Sequence, residues 1–157
     1  MPEYKIEIVG PDSKAESYLG ICEEAIKNVP FLAVSPKSSQ VNDMLVKIKN
    51  GDFRQSCMFV LTYKDKPVGF IIGSTTTEHP ILGDTKIAYE LGWYVTPAHR
   101  GNPISMELKR NYEAWAKMAG CRAVCMAHFD DPVGQQLGQL YLNEGYTRAE
   151  ITYIKEL

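Results

Sequence analysis

Several features are scarce in this chain, and each absence removes a class of function. There is no excess charge of one sign: 17 Lys and Arg stand against 19 Asp and Glu, a formal net charge of −2. No basic field therefore favours nucleic acid or an anionic membrane. No apolar run approaches the roughly 20 residues of a membrane span. The opening MPEYKIEIVG has no basic region followed by an apolar run, so it does not read as a signal peptide. Cysteine is sparse: Cys22, Cys57, Cys121 and Cys125 form no C-x-x-C pair. If Cys121 and Cys125 share a strand they lie four residues apart on one face, too far for a disulfide at about 3.3 Å per residue. These thiols read as reduced and the protein as cytoplasmic. His79, His99 and His128 offer no second histidine at ligand spacing, and Asp130 and Asp131 beside His128 do not replace one, so no metal is expected. There is no G-x-x-x-x-G-K-S/T loop, no serine elbow and no Cys–His nucleophile signature, which argues against a triphosphatase and a covalent enzyme intermediate.

What is present suits one domain over residues 1–157, with a full core. YKIEIV (4–9) alternates as a first strand. Ser13-Lys14-Ala15-Glu16 has the form of a capping box, followed by a helical stripe of Ala15, Tyr18, Leu19, Cys22 and Ile26. Val41, Met44, Leu45 and Ile48 mark a second helix, stopped at Gly51. Cys57 to Tyr63 and Val68 to Ser74 read as a hairpin, and Lys86 to Val95 as a long strand. Ile104, Leu108, Tyr112, Trp115 and Ala119 form the stripe of a third helix ending at Gly120. Ala123 to Ala127 is a short strand. A last helix opens at Asp131-Pro132, turns Val133, Leu137, Leu140 and Tyr141 inward, and closes at Gly145. Tyr146 to Arg148 and Ile151 to Lys155 read as closing strands. The strand–helix–strand unit from Lys86 to Ala127 implies a parallel crossover, and the hairpins an otherwise antiparallel sheet.

The segment WYVTPAHRGNPISMELKRNYEAWAKMAG (93–120) carries the clearest chemistry. Asn102 is a good N-cap, and Pro103 suits the first helical position, where its missing N–H has no intrahelical partner. The free N–H groups of the first turn point back at the strand end, with the positive end of the helix dipole behind them. A strand, a glycine-bearing loop and a helix N-terminus together hold phosphate, and Arg100 adds a fixed positive charge. The plainer reading, a helix cap at a strand end, is also compatible with these residues.

Two stretches resemble the GNAT superfamily of acyl-CoA N-acyltransferases. VTPAHRGNPIS resembles that family's V-x-P-x-x-R-G-x-G-x-G/A loop, and LYLNEGYTRAEITYIKEL its L-Y-x-x-x-G-F/Y ending. The AWAKMAGC run also looks like small stand-alone members from phages and bacteria. The resemblance implies an α/β (α+β) fold with a mixed, mostly antiparallel central sheet, one splayed parallel pair and helices on both faces. It implies acetyl-CoA as cofactor: Arg100, Gly101, Asn102, Ile104 and Ser105 on the pyrophosphate of coenzyme A, and the main chain of Trp93, Tyr94 and Val95 on pantetheine. Two positions depart from the pattern. Pro103 removes a donor, and Ser105 puts a side chain where backbone normally approaches phosphate, although its hydroxyl could donate instead.

Acyl transfer to an amine needs a base, a polarised carbonyl and a protonated leaving thiol. Glu90, in the otherwise apolar AYELGWYV, is the first choice of base, with solvent exposure the alternative and His128 the second choice. A main-chain N–H near Trp93 or Tyr94 would meet the carbonyl oxygen, and Gly92 invites the bulge that frees it. By resemblance Tyr141 protonates the departing thiolate; its plainer role is a core tyrosine beside Leu137. The resemblance further implies an amine acceptor, of a small molecule or a protein, lined by VPFLAVSP and STTTEHPILGD, where Phe31, Leu32, Glu78 and His79 stand. No nucleic acid or membrane partner is expected, and the C-terminal strand edge is open to a homodimer. The competing reading is a catalytically weak GNAT-fold module that docks on a protein.

Overall fold

A computed structural model of the protein describes residues 3–30, 35, 37–77 and 83–157. Among these described residues five strands cross one sheet in chain order: β1 (Tyr4–Ile8), β2 (Ser56–Tyr63), β3 (Lys66–Thr76), β4 (Ile87–Val95) and β5 (Ala123–Cys125). Neighbours from β1 to β4 are antiparallel, and β4 and β5 are parallel. The helices are α1 (Leu19–Lys27), α2 (Ser38–Asn50), α3 (Pro103–Met118) and α4 (Pro132–Asn143). This is the mixed sheet that the order of sequence signals implies.

Residues Cys57 to Thr62 of β2 are all buried, because helices cover both faces of the sheet. The alternation of strand side chains then sorts two cores. Cys57, Phe59, Leu61 and Ile71 meet Leu108, Tyr112 and Trp115 of α3 on one face. Met58, Val60, Phe70 and Ile72 meet Ile21, Cys22, Val41 and Leu45 of α1 and α2 on the other. The β2–β3 hairpin turns on Lys64 and Asp65, both at positive φ (50° and 60°), the left-handed pair that matches the twist of a two-residue hairpin.

The structure corrects four sequence readings. Ser13 does not close a capping box: its Oγ accepts from Gly10 N–H at 2.9 Å, and Ala15–Tyr18 is a short 3-10 helix before α1. Val133 is 54% exposed rather than inward, because the buried side of α4 is set by Gly134 and Tyr141. Tyr146 to Arg148 and Ile151 to Lys155 form no strands. Alternation there supplies propensity, but a strand needs a ladder partner, and β5 offers an edge of only three residues. Ile151, Tyr153 and Ile154 are accordingly exposed. The fourth correction, at the start of α3, concerns the site itself.

Candidate active site

β4 and β5 pair only at Ile87↔Ala123, Ala88↔Val124 and Tyr89↔Cys125. β5 then stops while β4 continues to Val95, so the two walls part and the β4 edge beyond Tyr89 has no ladder partner among the described residues. On its other side β4 stays paired to β3, with one irregularity: Ile72 opposes Gly92 and Gly73 opposes Glu90, so Leu91 is a bulged residue outside the ladder. The bulge expected at Gly92 therefore lies next to it. Such a residue re-aims its neighbours and releases main-chain groups from pairing.

Glu90 stands where the walls part. It is half-buried, and Ala127 N–H donates to its Oε2 at 3.3 Å. The Ala127 carbonyl accepts from the Tyr141 hydroxyl at 3.3 Å. One residue just beyond β5 thus brings together the two side chains assigned to proton chemistry. Burial pushes the Glu90 carboxyl up to about 7, against the opposing pull of the Ala127 N–H. Burial also raises the Tyr141 phenol well above its ordinary range, and the nearby Glu90 and Glu144 charges raise it further. Near neutral pH Glu90 is therefore divided between acid and carboxylate, the charged form able to accept a proton, while the phenol keeps its own.

His128 lies beside them, its ring centroid 6.4 Å from that of Tyr141. Its Nδ1 is 2.8 Å from the Phe129 carbonyl, and Nδ1–H donation there leaves Nε2 as the open nitrogen. The ring rests against Gly138 and Gly134, where added Cβ atoms would lie 2.6 Å from Nε2 and 2.9 Å from Nδ1.

At the far end of β4, Gly101 adopts φ +74° in the turn before α3. The Gly101 and Asn102 N–H groups have no acceptor among the described residues. The Thr96 Oγ1 and Trp93 Nε1 atoms are likewise buried without a partner among them. Arg100 donates from Nε to the Val95 carbonyl at 2.7 Å and lies 5.5 Å over the Tyr94 ring, which fixes the guanidinium at the loop. A helix N-terminus, a left-handed glycine, unpaired donors and an anchored cation fit a diphosphate.

The donors are fewer than the sequence implied. Asn102 is the N-cap, and its Oδ1 accepts from Ile104 N–H at 3.1 Å. Ser105 is buried, and both its N–H (2.9 Å) and its hydroxyl (2.6 Å) donate to the Asn102 carbonyl. The Ser105 hydroxyl is therefore committed within the helix cap. A ligand that takes the Ile104 N–H must first displace the Asn102 side chain.

The Trp93 and Tyr94 side chains point to opposite faces. Trp93 packs with the α3 core, and Tyr94 donates to Glu24 Oε1 of α1 at 2.7 Å. Burial and the Glu24 carboxylate push the Tyr94 phenol up to about 12. Glu24 was missed in the sequence, since nothing in α1 points 70 residues ahead to its partner. Phe31, Leu32, Glu78 and His79 lie outside the described residues.

A parallel pair that parts beside a helix start with the donors for a diphosphate is the arrangement expected of an acyl-carrier transferase. The model of the Acetyltransferase (GNAT) family matches residues 28–146, and the chain belongs to that family. It is an acyl-CoA-dependent N-acyltransferase, with acetyl-CoA as cofactor. No curated protein matches the chain. Its fold is similar to that of the aminoglycoside N-acetyltransferase AAC(6')-Iy, solved with CoA: TM-score 0.74, 15% identity, covering 98% of this chain and 94% of that one. It is similar also to a ribosomal-protein-alanine N-acetyltransferase from Brucella melitensis biovar Abortus 2308 (0.69, 15%, 98% and 99%). A Trypanosoma brucei acetyltransferase is comparable (0.68, 14%, 98% and 99%). Among the described residues no helix is long and apolar enough to cross a membrane.

Proposed function

We propose that the protein transfers acetyl from acetyl-CoA to a primary amine by direct attack, within one domain spanning 1–157. Bound acetyl-CoA supplies the thioester carbonyl and a thiol leaving group. Arg100, Gly101 and Asn102 hold its diphosphate, with Ile104 and Ser105 behind them, and the open β4 edge of Trp93, Tyr94 and Val95 seats pantetheine. Glu90 takes the proton from the incoming ammonium, directly or through water, because an amine of pKa near 10 must be neutral to attack. Main-chain N–H groups released around the Leu91 bulge face the carbonyl oxygen. The Tyr141 hydroxyl donates to the departing sulfur. Its raised pKa makes hydrogen bonding to sulfur the larger part of that role, since full transfer runs against the gradient.

The observation that carries this reading is Ala127, whose N–H and carbonyl meet Glu90 and Tyr141 where the walls divide. Primary amines as acceptors are supported by the aminoglycoside and ribosomal-protein-alanine transferases of similar fold. Free CoA release and product mass, measured with acetyl-CoA and neamine, spermidine or an alanine-ended peptide, test the reaction. Tyr141→Phe lowers kcat about tenfold to a hundredfold while CoA affinity by calorimetry stays within about twofold. Equal loss of both removes Tyr141 from the role assigned, and wild-type protein that binds no CoA favours the docking module instead. The terminal position of β5 in the sheet, with Ile151, Tyr153 and Ile154 exposed, supports pairing with a second copy; a monomer by light scattering would remove that part.

A further inference from the structure

Lys109 is the most buried charged residue among those described, 1% exposed in the middle of α3. Its ammonium is held by two carboxylates: Glu113, one turn on at 2.6 Å, and Glu144, the residue that caps the end of α4. It also lies 5.1 Å over the Tyr146 ring. The Tyr146 hydroxyl donates to the same Glu113 oxygen at 2.5 Å. The cluster thus joins α3 to the last turn of α4 through charge-assisted hydrogen bonds, shielded from water on the lysine side.

The cluster abuts Tyr141. The Tyr146 ring is 5.6 Å from the Tyr141 ring, and Tyr146 N–H donates to the Tyr141 carbonyl at 3.0 Å. Gly145, at φ +90°, makes the reversal that folds Tyr146 back over that turn. Glu144 sits at the negative end of the α4 dipole, a poor place for a carboxylate unless a cation answers it. Lys109 is that cation. An apolar side chain would fill its position on α3 at less desolvation cost, so stability alone does not explain a lysine there.

We propose that Lys109 is a positioning residue for Tyr141: through Glu144 and Tyr146 it fixes the last turn of α4 against α3, so the hydroxyl stays on the Ala127 side of the cleft. This rests on the role given to Tyr141 above. It also links the two ends of the site, because the helix that carries Lys109 begins at the diphosphate cradle.

The test is a double-mutant cycle in the full chain. Turnover is read as CoA release from acetyl-CoA with neamine as probe amine, or with water as acceptor where neamine is refused. Lys109→Met lowers kcat about tenfold with KM for acetyl-CoA within about twofold, and in a Tyr141→Phe background it adds less than about twofold. The Tyr141 Cζ resonance of 13C-tyrosine-labelled protein, assigned by its loss in Tyr141→Phe, shifts in Lys109→Met. If Lys109→Met does not fold, Glu144→Gln at the cluster's rim carries the cycle with the same pattern and a smaller loss of kcat. Full additivity of the two losses, or an unmoved Tyr141 resonance, overturns the inference while leaving the role of Tyr141 standing. If Tyr141→Phe itself leaves kcat unchanged, the functional reading of Tyr141 has failed and the inference falls with it.

Discussion

β4 and β5 face each other across the cleft, yet different forces hold them. β4 is stitched to β3 from Ile87 to Val95, broken only at Leu91, so a backbone ladder fixes its position. β5 has three ladder pairs, and from Met126 to Asp131 the chain follows no regular element. Side chains hold that wall instead. The Tyr112 hydroxyl reaches the Cys125 carbonyl at 3.0 Å, Glu90 and Tyr141 grip Ala127, Asp131 caps α4 through Gly134 N–H at 2.6 Å, and Lys109 closes the far end. A ladder gives a wall that is rigid and chemically bland. Side-chain ties cost more sequence, but two of them, Glu90 and Tyr141, are the groups proposed to move protons.

If that contrast holds, the joint between the walls is the most sensitive point. Gly73 of β3 touches it: an added Cβ would lie 2.6 Å from Tyr112 Cε2 and 2.9 Å from the Trp115 ring. Both rings are fully packed beneath the sheet and cannot swing aside. Gly73→Ala should destabilise the fold by about 3 kcal/mol through overpacking, and loosen the Tyr112 tie to β5 at the same time. Denaturant unfolding measures this; a loss under about 1 kcal/mol would mean the Tyr112 joint is softer than its burial implies.

Glu90 comes next, and its effect depends on pH. A carboxyl raised to about 7 in the fold, against 4.5 ordinarily, binds a proton in the native state that the unfolded chain has released. Stability is therefore highest below about 4.5 on this account, falls as pH rises to about 7, and stays lower above it. The full penalty is about 3 kcal/mol, an upper value that relaxation of the partly open cleft reduces. Glu90→Gln keeps an oxygen for the Ala127 N–H and removes the charge, so it should melt higher than wild type at pH 8 and alike at pH 4.5. The same variant should lose about a hundredfold in kcat and the rising limb of the rate profile near pH 7. A melting temperature that does not depend on pH in the difference would place Glu90 in contact with solvent.

The two walls also differ in how far the sequence displays them. Asn102, Pro103, Gly120, Asp131 and Gly145 announce helix ends within a few residues, and each falls where its local chemistry directs. The β4–α3 turn and its helix cap are legible for that reason. Lys109 is not: a lysine on a helix reads as a solvated face, and Glu144, which makes its burial tolerable, lies 35 residues away. Glu90 was ambiguous because alternation cannot tell an exposed face from one covered by α3 and α4. The tail beyond Gly145 reads the other way: its alternation specifies a strand, but the β5 edge it could join is only three residues long.

The smallest expected effect sharpens the contrast at the ladder side. Asn102→Ala removes the cap on Ile104 N–H and should cost about 1 kcal/mol, a fall of roughly 2–4 °C in melting temperature for a chain of this length. The Asn102 side chain and a diphosphate compete for that N–H. With saturating CoA, wild type gives up the cap to the ligand, whereas the variant has none to lose. The difference in melting temperature between the two should then shrink toward zero. If the gap is the same with and without CoA, the Ile104 N–H is not part of the cradle, and the diphosphate is held by Arg100, Gly101 and Asn102 alone.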